Sequence, residues 1–200
     1  NKNEILKLSK KKIDFPFYNK SKKILKLINI GRFTDQKDQL TLLKSVNKLR
    51  KIINFKLLII GGGECLGKLK EYINKQKLNT NIKILNFKKN PYPYLKKADI
   101  FILTSKYEGL PNVLLEAATL KKNIISTNCP TGPKEILKNG KYGALCNVGD
   151  YNQISKKILY YNSLNKRALN IISNNAYIAL DRFDYKYNLN KYYFEIKKLL

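Results

Sequence analysis

Six short apolar segments recur at intervals along this 200-residue chain, with stretches of helical spacing between them. The fourth segment reads Ile-Phe-Ile-Leu, which is typical of a strand buried on both faces. Strands that alternate with helices predict a parallel sheet covered by helices on both faces. We therefore expect an α/β fold with strands at 24–30, 55–60, 82–87, 100–103, 123–127 and 144–148.

The segments between these strands have the spacing of helices. Apolar residues recur on one face of 37–53, which predicts a helix there. From Asp150, which we expect to cap a helix, the chain is predicted to be helical to its end, with a break near Asp184. Further helices are predicted at 64–76, in the segment that follows Pro111, and in a separate short segment that ends at Lys138. A short helix or turn is predicted at 91–97.

The first 23 residues are rich in lysine and weakly patterned, so we expect 1–23 to be mostly irregular. The chain starts with Asn1 and contains no methionine, which indicates a piece of a longer protein. We expect 1–23 to lead in from a missing N-terminal domain.

Distinctive residues follow the predicted strands at the edge of the sheet where parallel α/β proteins bind ligands. They include Gly31-Arg32, the three glycines at 61–63, and the segments 105–111 and 128–133. The glycine run lacks the spacing of a dinucleotide or Walker loop, so it is either a tight turn or a contact loop.

Two acids lie on either side of a loop-to-helix junction in the segment 105–117. Proline suits the first position of a helix, so we expect the helix to begin near Pro111, between Glu108 and Glu116. Glu116 is the only charge in this apolar helix, and a buried acid is costly unless it is paired or faces a polar cleft. Two acids beside outward-pointing helix amides predict a site for a hydroxyl-rich, anionic ligand such as a nucleotide sugar.

Arg32 and Lys37 are the candidate phosphate ligands at the end of the first strand. The guanidinium of Arg32 can bind a phosphate through two hydrogen bonds, and Lys37 adds a point charge. Arg32 is one of only four arginines in the chain. Lys37 alone is equally typical of the many surface lysines.

The net charge of +26 is supplied almost entirely by lysine. The scattered lysines are typical of an AT-rich genome, and they are also compatible with attraction to an anionic membrane surface. Nucleic-acid binding is disfavoured, because the chain carries no motif for it.

Histidine is absent, and Cys65, Cys129 and Cys146 lie far apart, which disfavours a zinc site or a disulfide framework. The cysteines are most simply small buried residues in a reducing compartment. No apolar run reaches membrane-spanning length and no signal peptide is evident. We expect a cytoplasmic location, at the cytoplasmic face of a membrane if the charge attracts it there.

The ordered set of motifs resembles the donor-binding half of the retaining glycosyltransferases of family 4. The resemblance runs from Ile24 to Leu159. It is carried by Gly31-Arg32-Phe33, Gln36-Lys37-Asp38-Gln39, Gly61-Gly62-Gly63-Glu64, Ala98-Asp99-Ile100-Phe101, and the segments 108–117, 128–137 and 143–150.

The resemblance implies the C-terminal, Rossmann-like domain of a two-domain GT-B enzyme. It implies a nucleotide-sugar-binding domain at 24–163 and C-terminal helices at 164–200. The aromatic residues of those helices pack either on this domain or on the missing one. They are Tyr185, Tyr187, Tyr192, Tyr193 and Phe194.

The resemblance also implies roles for single residues. Arg32 and Lys37 would hold the donor diphosphate, Glu108 the sugar hydroxyls and Glu116 the ribose hydroxyls. The strand end at Phe87 and Lys88 would lie beside the base. Catalytic roles would fall to Arg32, Lys37 and Glu108. The remaining donor-binding residues would be Gly31, Gly109, Leu110, Pro111, Asn112 and Val113.

By this resemblance the full enzyme would transfer a hexose or N-acetylhexosamine, with retention, from a UDP-sugar. The acceptor would be a lipid-linked or surface glycan bound by the missing N-terminal domain, so this chain alone would have little or no transfer activity. No metal or other cofactor is expected. The alternatives are a sugar-nucleotide epimerase or phosphorylase of similar fold, and a non-catalytic basic module that binds membrane or nucleic acid.

Overall fold

The computed structural model describes residues 2–18 and 24–198. Its centre is a six-stranded sheet in the order β3-β2-β1-β4-β5-β6, in which every neighbouring pair is parallel. The strands are β1 Leu25–Ile30, β2 Phe55–Gly61, β3 Ile82–Asn86, β4 Ile100–Leu103, β5 Asn123–Thr127 and β6 Ala144–Cys146. The predicted α/β fold is confirmed.

Helices connect the strands and follow the last one. They are α1 Lys2–Leu8, α2 Gln39–Asn47, α3 Leu66–Lys75, α4 Tyr92–Lys97, α5 Asn112–Thr119, α6 Pro133–Ile136, α7 Tyr151–Ser163, α8 Lys166–Ile178 and α9 Tyr185–Lys197. Short 3₁₀ turns occupy Pro16–Tyr18 and Ala179–Phe183. No helix in the described ranges is both long and apolar enough to cross a membrane.

The sheet separates two apolar layers, because successive strand residues point to opposite faces. Leu27 and Ile59 face a layer that also contains residues of α2, α3 and α7. Ile28 and Ile60 face the other layer, formed with residues of α4, α5 and α8. Burial on both faces explains why the strands read as continuous apolar runs in the sequence.

The segment before β1 is more ordered than predicted. Lys2–Leu8 form a helix, where we expected irregular chain over 1–23. Phe15 and Tyr18 are buried against the second apolar layer, and the Tyr18 hydroxyl donates to the Leu27 carbonyl oxygen at 2.7 Å. These buried aromatic contacts hold the segment in place. Its many lysines hide any apolar periodicity in the sequence. Asn1 and residues 19–23 lie outside the described part of the chain.

Two helical predictions were too long. The helix predicted over 37–53 covers only Gln39–Asn47, because Asp38 takes a left-handed conformation before it and turns follow it. The C-terminal helical region is interrupted at Leu164, which is extended, and Asn165 then caps α8 by accepting from the Ala168 amide at 2.9 Å. The break predicted near Asp184 is confirmed, since Asp184 is extended before α9. The cap at Asp150 is also confirmed, by a 2.8 Å bond from the Gln153 amide.

The exposed aromatic residues of α9 are not packed on this domain. Tyr192, Tyr193 and Phe194 are 71%, 59% and 64% exposed. The side chains of Tyr185 and Tyr187 lie outside the described part of the structure.

We predict that Asp38 is required for stability because it combines two local functions. It is left-handed, with φ of 44°, and its carboxylate accepts from the Thr41 amide and hydroxyl at 3.2 and 2.7 Å. Asp38→Ala should cost about 1–3 kcal/mol of unfolding free energy, because alanine loses the cap and disfavours this conformation. Asp38→Asn should be nearly neutral and Asp38→Gly should cost less than about 1 kcal/mol, measured by urea unfolding. Equal losses in all three variants would contradict this account.

Candidate functional site

A cleft of 750 Å³ lies at the carboxyl edge of the sheet. It lies beside the boundary between β1 and β4, where the strand order reverses and where α/β sheets bind ligands. Most of the predicted site residues line it: Gly31, Arg32, Lys37, Phe87, Lys88, Glu108, Leu110, Pro111, Asn112, Val113 and Glu116. Gly109 belongs to the same loop, and its carbonyl oxygen is directed at Gly132. The fold therefore brings the predicted site residues together in one cleft.

Lys37 and Glu108, which both line the cleft, form an ion pair. The Lys37 Nζ atom lies 2.5 Å from Glu108 Oε1, and the side chains are only 15% and 7% exposed. The Ser105 hydroxyl donates to the same oxygen at 2.6 Å. Lys37 is therefore not an ordinary surface lysine. Its ammonium and the Glu108 carboxylate are held in one arrangement before any ligand arrives.

Hydrogen bonds also join the two loops that carry this pair. The Lys106 amide donates to the Gln36 carbonyl oxygen at 2.8 Å, and the Gln36 side chain donates to the Tyr107 carbonyl oxygen at 2.9 Å. The Thr131 hydroxyl donates to the Glu108 carbonyl oxygen from the loop after β5. The three loops thus form one hydrogen-bonded surface around Glu108.

Glycines allow these loops to approach one another. A Cβ atom on Gly61 would lie 1.9 Å from the Gly31 carbonyl oxygen, and one on Gly132 would lie 1.8 Å from the Gly109 carbonyl oxygen. Both glycines stand where the loops after neighbouring strands touch. Gly61 and Gly62 also line the cleft, so the glycine run is both a tight turn and part of the site.

Arg32 lines the cleft with a charged guanidinium group. Its side chain is exposed, and within 2–18 and 24–198 no hydrogen bond or ion pair is formed by its guanidinium. Its carbonyl oxygen accepts from the Gln39 side chain at 2.8 Å, and Gln39 is itself buried. The backbone of Arg32 is therefore fixed while its guanidinium is available to an anion.

Helix α5 begins at the edge of the cleft, at Asn112, which agrees with the predicted start near Pro111. Pro111 is extended and has no amide hydrogen, and Asn112 and Val113 line the cleft. The first amides of a helix have no intrahelical acceptor and carry partial positive charge. This end of α5 is suited to an anionic group.

Glu116 lies one turn further along α5, in contact with Tyr92. The Tyr92 hydroxyl donates to Glu116 Oε1 at 3.3 Å. Burial raises the pKa of the Glu116 carboxyl above its ordinary value, and the hydrogen bond from Tyr92 lowers it. Tyr92, Pro91 and Lys89 line the cleft but were not predicted, because no motif in the sequence singles them out.

Other acids and thiols serve the fold rather than the cleft. Asp99 accepts from the Lys26 amide at 2.8 Å, which joins the start of β4 to β1. Cys129 and Cys146 are buried and free, and Cys65 is partly exposed and free. Within the described residues, no three His, Cys, Asp or Glu side chains are grouped to hold a metal ion.

The sequence model described as glycosyl transferases group 1 matches residues 10–177. The chain is 42% identical over 135 residues to the glycosyltransferase MJ1059 of Methanocaldococcus jannaschii, covering 67% of this chain and 33% of that protein. It is 27% identical over 128 residues to the N-acetylgalactosamine-N,N'-diacetylbacillosaminyl-diphospho-undecaprenol 4-alpha-N-acetylgalactosaminyltransferase of Campylobacter jejuni, covering 64% and 34%. The chain thus spans about a third of the length of these curated relatives.

Solved structures show the same fold. TarM of S. aureus superposes with a TM-score of 0.77 at 22% identity, over 84% of this chain and 34% of TarM. HepE of Anabaena, solved in complex with UDP and glucose, gives a TM-score of 0.77 at 20% identity, over 88% of this chain and 48% of HepE. The fold is that of one half of a GT-B glycosyltransferase.

We predict that Gly132→Ala will destabilise the protein more than Gly149→Ala. Both glycines have positive φ, 74° and 75°, but nothing lies within 4 Å of a Cβ atom on Gly149. The control should therefore show only the conformational cost of about 1–2 kcal/mol. Gly132→Ala should cost about 1–3 kcal/mol more, because it also separates two packed loops and because the ψ of −75° at Gly132 is outside the region that alanine adopts at positive φ. Equal urea midpoints for the two variants would show that the loop contact is unimportant.

Proposed function

The chain belongs to the glycosyl transferases group 1 family, and we propose that its cleft binds the nucleotide-sugar donor of a retaining glycosyltransferase. The observation that carries this proposal is the meeting of Arg32, the Lys37–Glu108 pair and the start of α5 in one cleft. These groups together match a ligand that has both phosphates and hydroxyls.

The donor diphosphate is assigned to the cationic side of the cleft. Arg32 supplies a guanidinium that pairs with no described residue, Lys37 a fixed ammonium, and Asn112 and Val113 the first amides of α5. Cations held in place before reaction stabilise charge that develops on a departing nucleotide, without a later cost of reorganisation. We propose that these groups act here without a metal ion.

The sugar is assigned to Glu108. Its Oε1 atom already accepts from Lys37 and Ser105. No described residue donates to its Oε2 atom, which is therefore available to a sugar hydroxyl. A carboxylate whose position is fixed by two donors can select the orientation of the sugar ring.

The nucleoside is assigned to the side of the cleft formed by Phe87, Lys88 and Glu116. Phe87 is 77% exposed at the end of β3, where its ring can contact a base. Glu116 would accept from the ribose hydroxyls. We propose uracil as the base. The neighbour HepE was solved with UDP, which agrees with this choice.

We propose that the complete enzyme transfers a hexose or N-acetylhexosamine to a lipid-linked or surface glycan. The name of the Campylobacter relative specifies a diphospho-undecaprenol acceptor, and another relative, AmsD of Erwinia amylovora, is named for amylovoran biosynthesis. Transfer would require the acceptor-binding part that lies outside this chain. The net charge of +26 would favour the anionic cytoplasmic face of a membrane.

UDP binding by the 200-residue chain tests the diphosphate and ribose assignments. Glu116→Ala and Arg32→Ala should each weaken UDP binding by about 1.5–3 kcal/mol, roughly 10- to 150-fold, in calorimetric titrations. Arg167→Ala removes an exposed arginine that does not line the cleft and should bind UDP as the wild type does. EDTA should change none of these affinities.

Two results would contradict the proposal. One is the absence of saturable UDP binding by the folded wild-type chain. The other is unchanged binding in Glu116→Ala together with salt-sensitive binding to anionic vesicles, which would favour the basic module.

The sugar assignment makes a separate prediction. Glu108→Gln should reduce the advantage of a UDP-hexose or UDP-N-acetylhexosamine over UDP itself, because the charged acceptor for the sugar hydroxyl is lost. UDP alone should bind as well as before or more tightly, since Lys37 is no longer neutralised by Glu108. Parallel titrations with UDP and the UDP-sugars measure the ratio. An unchanged ratio would remove Glu108 from the sugar site.

A further inference from the structure

The Glu116 carboxylate depends on a different helix for its hydrogen bond. Glu116 lies on α5, and the Tyr92 hydroxyl that donates to its Oε1 atom at 3.3 Å belongs to the first residue of α4. Among the described residues, no other side chain donates to this carboxylate. Both residues line the cleft, so their contact is part of its surface.

The backbone of Tyr92 is held firmly in place. Its amide donates to the Asn90 side-chain oxygen at 3.3 Å, and the Asn90 side chain donates to the Leu8 carbonyl oxygen at 3.1 Å. Pro91 precedes Tyr92, and Pro93, which follows it, is buried. Tyr92 also packs against the apolar layer below α4 and α5. Its hydroxyl therefore has a defined position relative to Glu116.

The contact also bears on the charge of Glu116. Burial favours the neutral acid and raises the pKa of Glu116, while the hydrogen bond from Tyr92 favours the carboxylate. Burial, together with the charge of Glu116, raises the pKa of Tyr92 to about 12. Tyr92 thus remains a protonated donor at neutral pH.

We propose that Tyr92 is a positioning residue for the donor nucleoside, because its hydroxyl donates to Glu116 and holds the carboxylate in the orientation that ribose hydroxyls require. This inference rests on the proposed function, in which Glu116 accepts from the ribose. A neutral Glu116 acid would carry a hydrogen on one oxygen and would lose part of its capacity to accept.

The test compares UDP affinity in wild type and Tyr92→Phe as the pH is lowered from about 8 towards the ordinary range of a glutamate pKa. At the upper end, Tyr92→Phe should bind about two- to tenfold more weakly, from loss of orientation alone. Without the hydroxyl the pKa of Glu116 rises further, so the variant should lose the carboxylate at a higher pH than the wild type. The ratio of the two affinities should therefore grow as the pH falls. The ionisation of UDP itself is common to both proteins and cancels from the ratio.

Tyr94→Phe is the matched control. Tyr94 is on the same helix, its ring contacts Phe15, and it does not line the cleft. It should bind UDP as the wild type does at every pH. Among the described residues, the other charged groups near the pair are Glu4 on α1, whose charge also raises the pKa of Tyr92, and Lys88 and Lys89 of the cleft. Glu4→Gln should leave the pH trend of the ratio unchanged, and loss of the trend in that background would overturn the proposal.

A double-mutant cycle shows whether Tyr92 acts through Glu116. In the Glu116→Ala background, Tyr92→Phe should have no further effect on UDP affinity. An equal, pH-independent loss in both backgrounds would indicate a merely structural role and would overturn the inference. If the wild type binds UDP and Tyr92→Phe matches it at every pH, the inference fails and the proposed function stands. If the wild type binds no UDP, the proposed function itself has failed.

Discussion

The Lys37–Glu108 ion pair joins the two halves of the sheet at the point where the strand order reverses. Lys37 follows β1, from which the chain proceeds to β2 and β3, and Glu108 follows β4, from which it proceeds to β5 and β6. The two strands are hydrogen-bonded neighbours, and beyond their ends hydrogen bonds also join the loops that follow them. Removing one member of such a pair leaves an uncompensated charge in a poorly solvated place. The pair is therefore one of the contacts that hold the loops of the cleft together.

The position of the pair depends in turn on close contacts between backbones. Gly61 and Gly132 allow the loops after β2 and β5 to touch those after β1 and β4. Below these loops the two apolar layers fix the strand ends, since close-packed interiors change shape very little. The polar groups of the cleft are thus supported on rigid strands, although the groups themselves lie on loops.

The strands were predictable because a strand buried on both faces consists of consecutive apolar residues, as in Ile-Phe-Ile-Leu of β4. Helix ends were less predictable. The shortening of α2 depends on the left-handed backbone of Asp38, which apolar spacing does not reveal. The helix α1 was missed because its exposed lysines conceal a weak apolar face that packs only in the tertiary structure. In the cleft, the residues in motifs were predictable, whereas Tyr92 was not, because its contact with Glu116 joins separate helices.

The excess of positive charge explains why the two acids of the cleft are informative. The chain has 40 basic residues and only 14 acidic ones, so cations alone would suffice to attract an anion. Glu108 and Glu116 both line the cleft and weaken that attraction. Burial raises the pKa of Glu116, which means that ionising this side chain costs free energy. Carboxylates in an otherwise cationic cleft are useful to a ligand that also carries hydroxyl donors. The positive field would then speed the arrival of the ligand and weaken with salt, whereas the two acids would select among anions by hydrogen bonds that salt affects much less.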